Sequence, residues 1–173
     1  MLKKITVFFP LMWGIIFATS LIEVSGNETE FKLQQESPSV LNCTLTTGDI
    51  VTFSEMTDEG EFIRLSLPNF HISRDAGEPE LPEVHSLIEI PQNALPYIEI
   101  VNSSFRDYSL TDLGITNLIY PAQPSLSKSQ NPSDIPFVIN SDVYLKNMLL
   151  QKELVSVNIE GQLRAIRIAN LNI

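Results

Sequence analysis

The 173-residue chain has one cysteine, two histidines, one tryptophan and only 11 basic residues. A lone Cys43 permits no internal disulfide, so an exported fold must stand on its core alone. His71, His85 and Cys43 are widely scattered and make no zinc-ligand spacing. A nucleophilic cysteine needs a base, and neither histidine stands in a recognisable catalytic context. Cys43 therefore reads as an incidental thiol within Asn42-Cys43-Thr44, and a cysteine enzyme using it is the weakest reading of the chain. No cofactor or metal motif is present. The scarcity of Lys and Arg against 21 acidic residues gives a net charge of −10, a poor match for a phosphate backbone. Only one apolar run is long, which excludes repeated membrane spanning. Three N-x-Ser/Thr sequons, at Asn27, Asn42 and Asn102, read as chance occurrences.

That single long run lies at the front. Lys3 and Lys4 precede an apolar stretch from Ile5 to Ala18, and Ala18-Thr19-Ser20 offers small residues before a cut after Ser20. Positive start, apolar middle and small-residue exit mark a secretory leader over residues 1–20. The stretch is shorter than the roughly 20 residues a spanning helix needs, and Pro10 interrupts it. Val24-Ser25-Gly26 is a second candidate cut. With residues 1–20 removed, two lysines are lost and the charge becomes −12.

Residues 21–48 are polar and weakly patterned, and the expectation is a loose mature N-terminus with at most one strand. From Asp49 to Ile173 short β-like runs alternate with turn residues: Ile50 to Phe53, Phe62 to Leu67, Val84 to Ile90, Tyr97 to Val101, Leu154 to Ile159 and Leu163 to Ile173. β-branched and aromatic residues between Gly, Pro and Asn clusters are the strand signature. Asp58-Glu59-Gly60 and Glu160-Gly161-Gln162 read as hairpin signals, and one helical turn is expected between Ser141 and Leu150. The sum is an all-β domain of two packed antiparallel sheets. The expected core is Phe62, Ile63, Leu65, Ile88, Ile98, Ile100, Val155, Val157, Ile166 and Ile168. Glu78 and Glu80 read as solvated, Pro79 and Pro82 as turn-fixing, and Arg164 and Arg167 as surface arginines. The chain stops inside the alternating pattern at Ile173, which reads either as a strand capping a sheet or as the front part of a longer polypeptide.

Tyr120 to Pro136 differs from the rest. Pro121, Pro124, Pro132 and Pro136 bracket a run rich in Ser, Asn and Gln. Proline fixes φ and holds its predecessor extended, so the stretch is a stiffened loop, and long loops in compact domains are often functional. Lys128, flanked by Ser127 and Ser129, is the sole charge between Asp112 and Asp134. A cation held on a stiff loop can fill a pocket with an acidic floor at reduced ordering cost.

From Gly77 to Ile173 the chain resembles the pro-region of the gingipain family, secreted bacterial cysteine peptidases made as zymogens. Gly77-Glu78-Pro79-Glu80-Leu81-Pro82 is similar to that family's G-x-P-x-L-P stretch, followed by Ser86-Leu87-Ile88. Ile98 to Phe105 resembles its next strand, and Ile119-Tyr120-Pro121-Ala122-Gln123-Pro124 its lead-in to a loop. Asn131-Pro132-Ser133-Asp134-Ile135-Pro136-Phe137-Val138 resembles its N-P-x-x-I-P-aromatic exit, with Tyr144 beyond, and Gly161 to Arg167 its last hairpin. Residues 27–76 agree in texture only. The resemblance implies an intramolecular inhibitor and folding aid whose partner is the catalytic domain that family members carry further along, in cis or in trans after cleavage. It implies that Lys128 enters the peptidase's specificity pocket uncut, with Ser127 and Ser129 beside it and Pro124, Asn131, Pro132 and Pro136 as scaffold. Family members carry Arg at that place; the Lys here differs in fork geometry and reach. The other reading is a secreted β-sandwich binding or adhesion module unconnected with proteolysis.

Overall fold

The computed structural model describes residues 19–23, 28–131, 135–146 and 153–173. Residues 1–18, which carry nearly all of the expected leader, and Pro132 of the expected scaffold lie outside the described residues.

The architecture is all-β and antiparallel, with one helical turn among the described residues. β1 (Thr19–Ile22), β4 (Ile50–Thr57) and β5 (Gly60–Ser66) form one three-stranded sheet in the order β1-β4-β5. β8 (His85–Ile90), β9 (Ser156–Leu163) and β10 (Ile166–Asn172) form a second, in the order β8-β10-β9. β2 (Glu30–Ser37) pairs with β3 (Val40–Thr46), and the short β6 (His71–Ile72) with β7 (Pro82–Glu83). α1 is the single turn Ser141–Tyr144, inside the range expected for it. Asp58-Glu59 makes the expected tight turn, with Thr57 opposite Gly60.

The core is drawn from both sheets. Phe62 and Ile63 of β5 are buried in succession, so that strand is covered on both faces; Ala169 and Leu171 of β10 are buried at alternating positions. Ile22, Leu67, Val84, Ile90, Ala122 and Val143 complete it. The stretch from Gly77 to Ile90 ties the two sheets together. Its first part bonds to the segment beside β5, Val84 exchanges both backbone hydrogen bonds with Ile173, and β8 flanks β10.

Several expectations differ from the structure. Residues 21–48 hold more than one strand: β2 and β3 make a full hairpin, and Leu21 and Ile22 pair with β4. Most of the hairpin's side chains are exposed, and its only local signal is a short alternation, Phe31 and Leu33 about Lys32 and then Leu41, Cys43 and Leu45 about Asn42 and Thr44, within a polar stretch. The strand expected at Tyr97 to Val101 is absent, and so is a core role for Ile98 and Ile100. Among the described residues that segment pairs with no strand, although the start of β9 lies across a hollow from it. Tyr97 and Val101 are 84% and 90% exposed, and Ile98 and Ile100 merely line one side of an open hollow against Leu154 to Asn158. Ile166 is also exposed. The turn between β9 and β10 falls at Arg164-Ala165, three residues past the expected hairpin signal. Gly161 (φ +142°) instead marks a bulge, where the register slips between Ile168 and Ala169. The last strand is central to its sheet, not an edge. Glu80 is buried, not solvated.

Candidate functional site

The loop that carries Lys128 springs from a hydrogen-bonded platform. Ile63 N–H donates to Leu118 O and Tyr120 N–H to Ile63 O, both at 2.8 Å, so residues 118–120 run along the outer edge of β5. The same segment is gripped from its other side by the Gly-x-Pro-x-Leu-Pro stretch. Gly77 N–H donates to Ala122 O (2.7 Å), Ala122 N–H to Glu78 O (2.8 Å) and Glu80 N–H to Tyr120 O (2.8 Å). Gly77 O in turn accepts from Asn140 N–H at 2.8 Å, beyond the far end of the loop. Residues 77–80 thus hold both stems. Gly77 has φ +85°, and a Cβ there would meet Asn140 N at 3.0 Å and Val138 Cγ1 at 3.2 Å, so only glycine fits.

Gln123 closes the loop neck. Its Nε2 donates to Pro121 O and Val138 O, and its Oε1 accepts from Val138 N–H, each at 2.9 Å. One side chain thereby does for the two stems what a strand pair does with backbone groups. Beneath it, Phe62, Tyr120 and Phe137 pack as a ring trio with centroids 5.4–5.9 Å apart. Such aromatic pairs contribute about 0.5–1.5 kcal/mol each beyond burial. Arg64 lies over the Tyr120 ring with Cζ 3.8 Å from the centroid, and its Nη1 pairs with Glu80 Oε2 at 2.5 Å. Burial raises the Glu80 carboxyl above its ordinary range, and the Arg64 charge opposes that without cancelling it. Tyr144 donates from its hydroxyl to Ile119 O at 2.7 Å, and burial pushes its phenol up.

Above the neck the chain is exposed from Ser125 to Asn131. At the tip, Gln130 N–H donates to Ser127 O at 3.1 Å and Ser127 N–H donates to Gln130 Oε1 at 2.9 Å. The hydroxyls of Ser127 and Ser129 lie 3.1 Å apart. Lys128 occupies the first central position of this turn, and among the described residues no acidic group pairs with its ammonium. The structure thus brings Lys128, Ser127 and Ser129 together at one apex. Pro124 is half-buried just above the neck, Asn131 is exposed, and Pro136 precedes the packed Phe137. Sequence reasoning missed Gln123, Gln130, Gly77, Arg64 and Glu80 as loop supports. Position in a proline-bracketed stretch could have flagged the two glutamines; nothing local marks Arg64.

Among the described residues the cysteine and the histidines form no catalytic arrangement. Cys43 lies on exposed β3 and burial of its thiol raises the pKa, away from a reactive thiolate. His71 and His85 have ring centroids 5.8 Å apart, and His85 is held between Glu83 and Asn172. Among the described residues no cluster of three His, Cys, Asp or Glu could hold a metal, and no helix there is long and apolar enough to cross a membrane. Arg167 donates to Gln92 O (2.9 Å) and Ala94 O (2.6 Å), fastening the turn after β8.

The family model Propeptide_C25 matches residues 30–173. Lys-gingipain of Porphyromonas gingivalis (strain ATCC 33277) is 31% identical over 160 residues, which is 92% of this chain and 9% of that protein. Lys-gingipain HG66 of the same species is 30% identical over 171 residues, 92% of this chain and 10% of that protein. The chain therefore spans about a tenth of the length of these curated relatives. A solved structure concerning the zymogenic latency of gingipain K from Porphyromonas gingivalis superposes with a TM-score of 0.82 at 29% identity, covering 90% of this chain and 85% of that one. The complex of the pro- and mature domains of RgpB from the same species shares the fold, with a TM-score of 0.67 at 19% identity over 83% and 71% of the two chains. A binding module unconnected with proteolysis does not agree with these likenesses. The chain is a propeptide segment, not a catalytic domain, and belongs to the gingipain propeptide family, Propeptide_C25.

Proposed function

We propose that this domain keeps a gingipain-like cysteine peptidase latent, with Lys128 occupying the enzyme's specificity pocket and the domain body covering the cleft. The observation that carries the reading is a lone cation at the apex of a loop whose two stems are clamped by Gln123 and by residues 77–80, on a domain of net charge −12 once residues 1–20 are removed. A cleft with an acidic pocket floor takes such a group with little ordering cost, because the turn already holds the tip. The ring trio and the hydrogen-bonded platform also give the domain a rigid face on which a catalytic domain folds. Residues 1–20 act as the leader that exports the polypeptide, and the mature peptidase is the partner in cis or after cleavage. The related RgpB pro-domain is seen with its mature domain, which supports the same pairing here.

The test adds the full chain in trans to a lysine-cleaving gingipain-type peptidase and measures the inhibition constant. Lys128→Ala raises it by about 30-fold or more, the factor for roughly 2 kcal/mol lost when one partner of a desolvated charge pair is removed. An unchanged constant, with an unchanged thermal melt, removes Lys128 from the mechanism.

A further inference from the structure

An exposed loop tip is where proteolysis concentrates, and a lysine offered to a lysine-reading enzyme is by default a substrate. We infer that Gln130 is the positioning residue that makes Lys128 a pocket-filler instead of a cleavage site. The inference rests on the inhibitory reading only for its purpose; its physical content stands on the turn itself.

A peptidase substrate lies extended in the cleft and lends its backbone N–H and C=O groups to the enzyme, as in strand addition. Here those groups are already taken around the scissile position. Ser127 O accepts from Gln130 N–H, and Ser127 N–H is held by Gln130 Oε1. The Lys128–Ser129 peptide is thereby the central peptide of a closed turn, restrained by both contacts from Gln130 and by the Ser127–Ser129 hydroxyl pair. The Lys128 side chain stays exposed and free to enter a pocket. Cutting by a cysteine peptidase requires its thiolate to bond the Lys128 carbonyl carbon. The C–N bond to Ser129 then breaks, the Ser129 nitrogen leaves as an amine with a proton from the enzyme's general acid, and water releases the Lys128 carboxylate. Reaching that geometry means opening the turn first. The neck clamp at Gln123 keeps the stems from separating to allow it.

The experiment incubates the full chain with a lysine-specific endopeptidase of unrelated origin and follows the Lys128–Ser129 cut by mass spectrometry. Gln130→Met keeps length but removes the acceptor; Gln130→Glu keeps the acceptor. The expected result is cutting at least about tenfold faster in Gln130→Met, near wild-type cutting in Gln130→Glu, and faster cutting still in a free peptide of residues 124–136. Amide exchange at Ser127 and Gln130 should quicken in Gln130→Met alone, while its thermal melt stays that of the wild type. Equal rates for wild type and Gln130→Met, or a Glu variant cut as fast as the Met variant, overturn the inference. If Lys128→Ala leaves inhibition intact, the latency reading falls and this comparison still decides the role of Gln130. If inhibition is lost on Lys128→Ala but the cutting rates do not differ, only the role of Gln130 falls.

Discussion

Glu80 lies under the loop neck with its carboxylate against Arg64 and only 8% of its surface exposed. Its pKa in the fold is raised above the ordinary value of 4.5, chiefly by burial and against the pull of Arg64. The folded chain therefore holds this proton more tightly than the unfolded chain does. The resulting stabilisation is complete below the ordinary value and is lost as pH rises through the raised one. The difference in melting temperature between wild type and Glu80→Gln, followed from pH 3 to 8, should shift against the wild type across that window and be flat on either side of it. A difference independent of pH would show that burial does not perturb the group. Nothing in Gly-Glu-Pro-Glu-Leu-Pro announces which glutamate is buried, because the decisive neighbour, Arg64, is 16 residues away and reaches it only through the tertiary fold. Lys128 stands out in the sequence for the opposite reason: no other charge lies between Asp112 and Asp134.

The stretch from Gly77 to Leu81 is neither strand nor helix over most of its length, yet it orders both stems of the loop. Its contribution depends on one residue without a side chain. Gly77→Ala puts a Cβ 3.0 Å from Asn140 N in a backbone conformation that L residues rarely adopt. The variant should lose roughly 1–3 kcal/mol in chemical denaturation, and amide exchange at Asn140 should quicken, because its acceptor, Gly77 O, shifts. β10, buried at alternating positions, was readable from periodicity, and so was β5, where Phe62 breaks the alternation of Ile63, Leu65 and Leu67 because that strand is covered on both faces. The β2–β3 hairpin was passed over although Phe31 and Leu33, and Leu41, Cys43 and Leu45, alternate with polar residues, because those short runs sit in an otherwise polar stretch and leave their faces mostly wet. Alternation misled at Tyr97 to Val101, because a pattern describes what a strand needs and does not provide the neighbour that completes it. Gly161 misled in another way: a glycine in a strand marks a bulge as readily as a turn.

At the scale of the molecule, the second sheet depends on its middle strand. β10 is the sole partner of both β8 and β9 within that sheet, and Ile173 also pairs with Val84. Ending the chain after Leu163 should abolish the cooperative thermal transition of the second sheet while leaving the β4–β5 hairpin signal in amide exchange; retention of one full-amplitude transition would show that β8 and β9 do not need it. The all-β class and the loop were visible from composition and punctuation, whereas strand order was not, since which strand sits between two others is a matter of three-dimensional closure. That order has a consequence in time. Synthesis runs from the N-terminus, so the residues that seal the sheet leave the ribosome after all those they must join. Until Ile166 to Asn172 are out, β8 waits through more than 70 residues with no ladder of that sheet to enter, so this sheet closes long after its first strand is made.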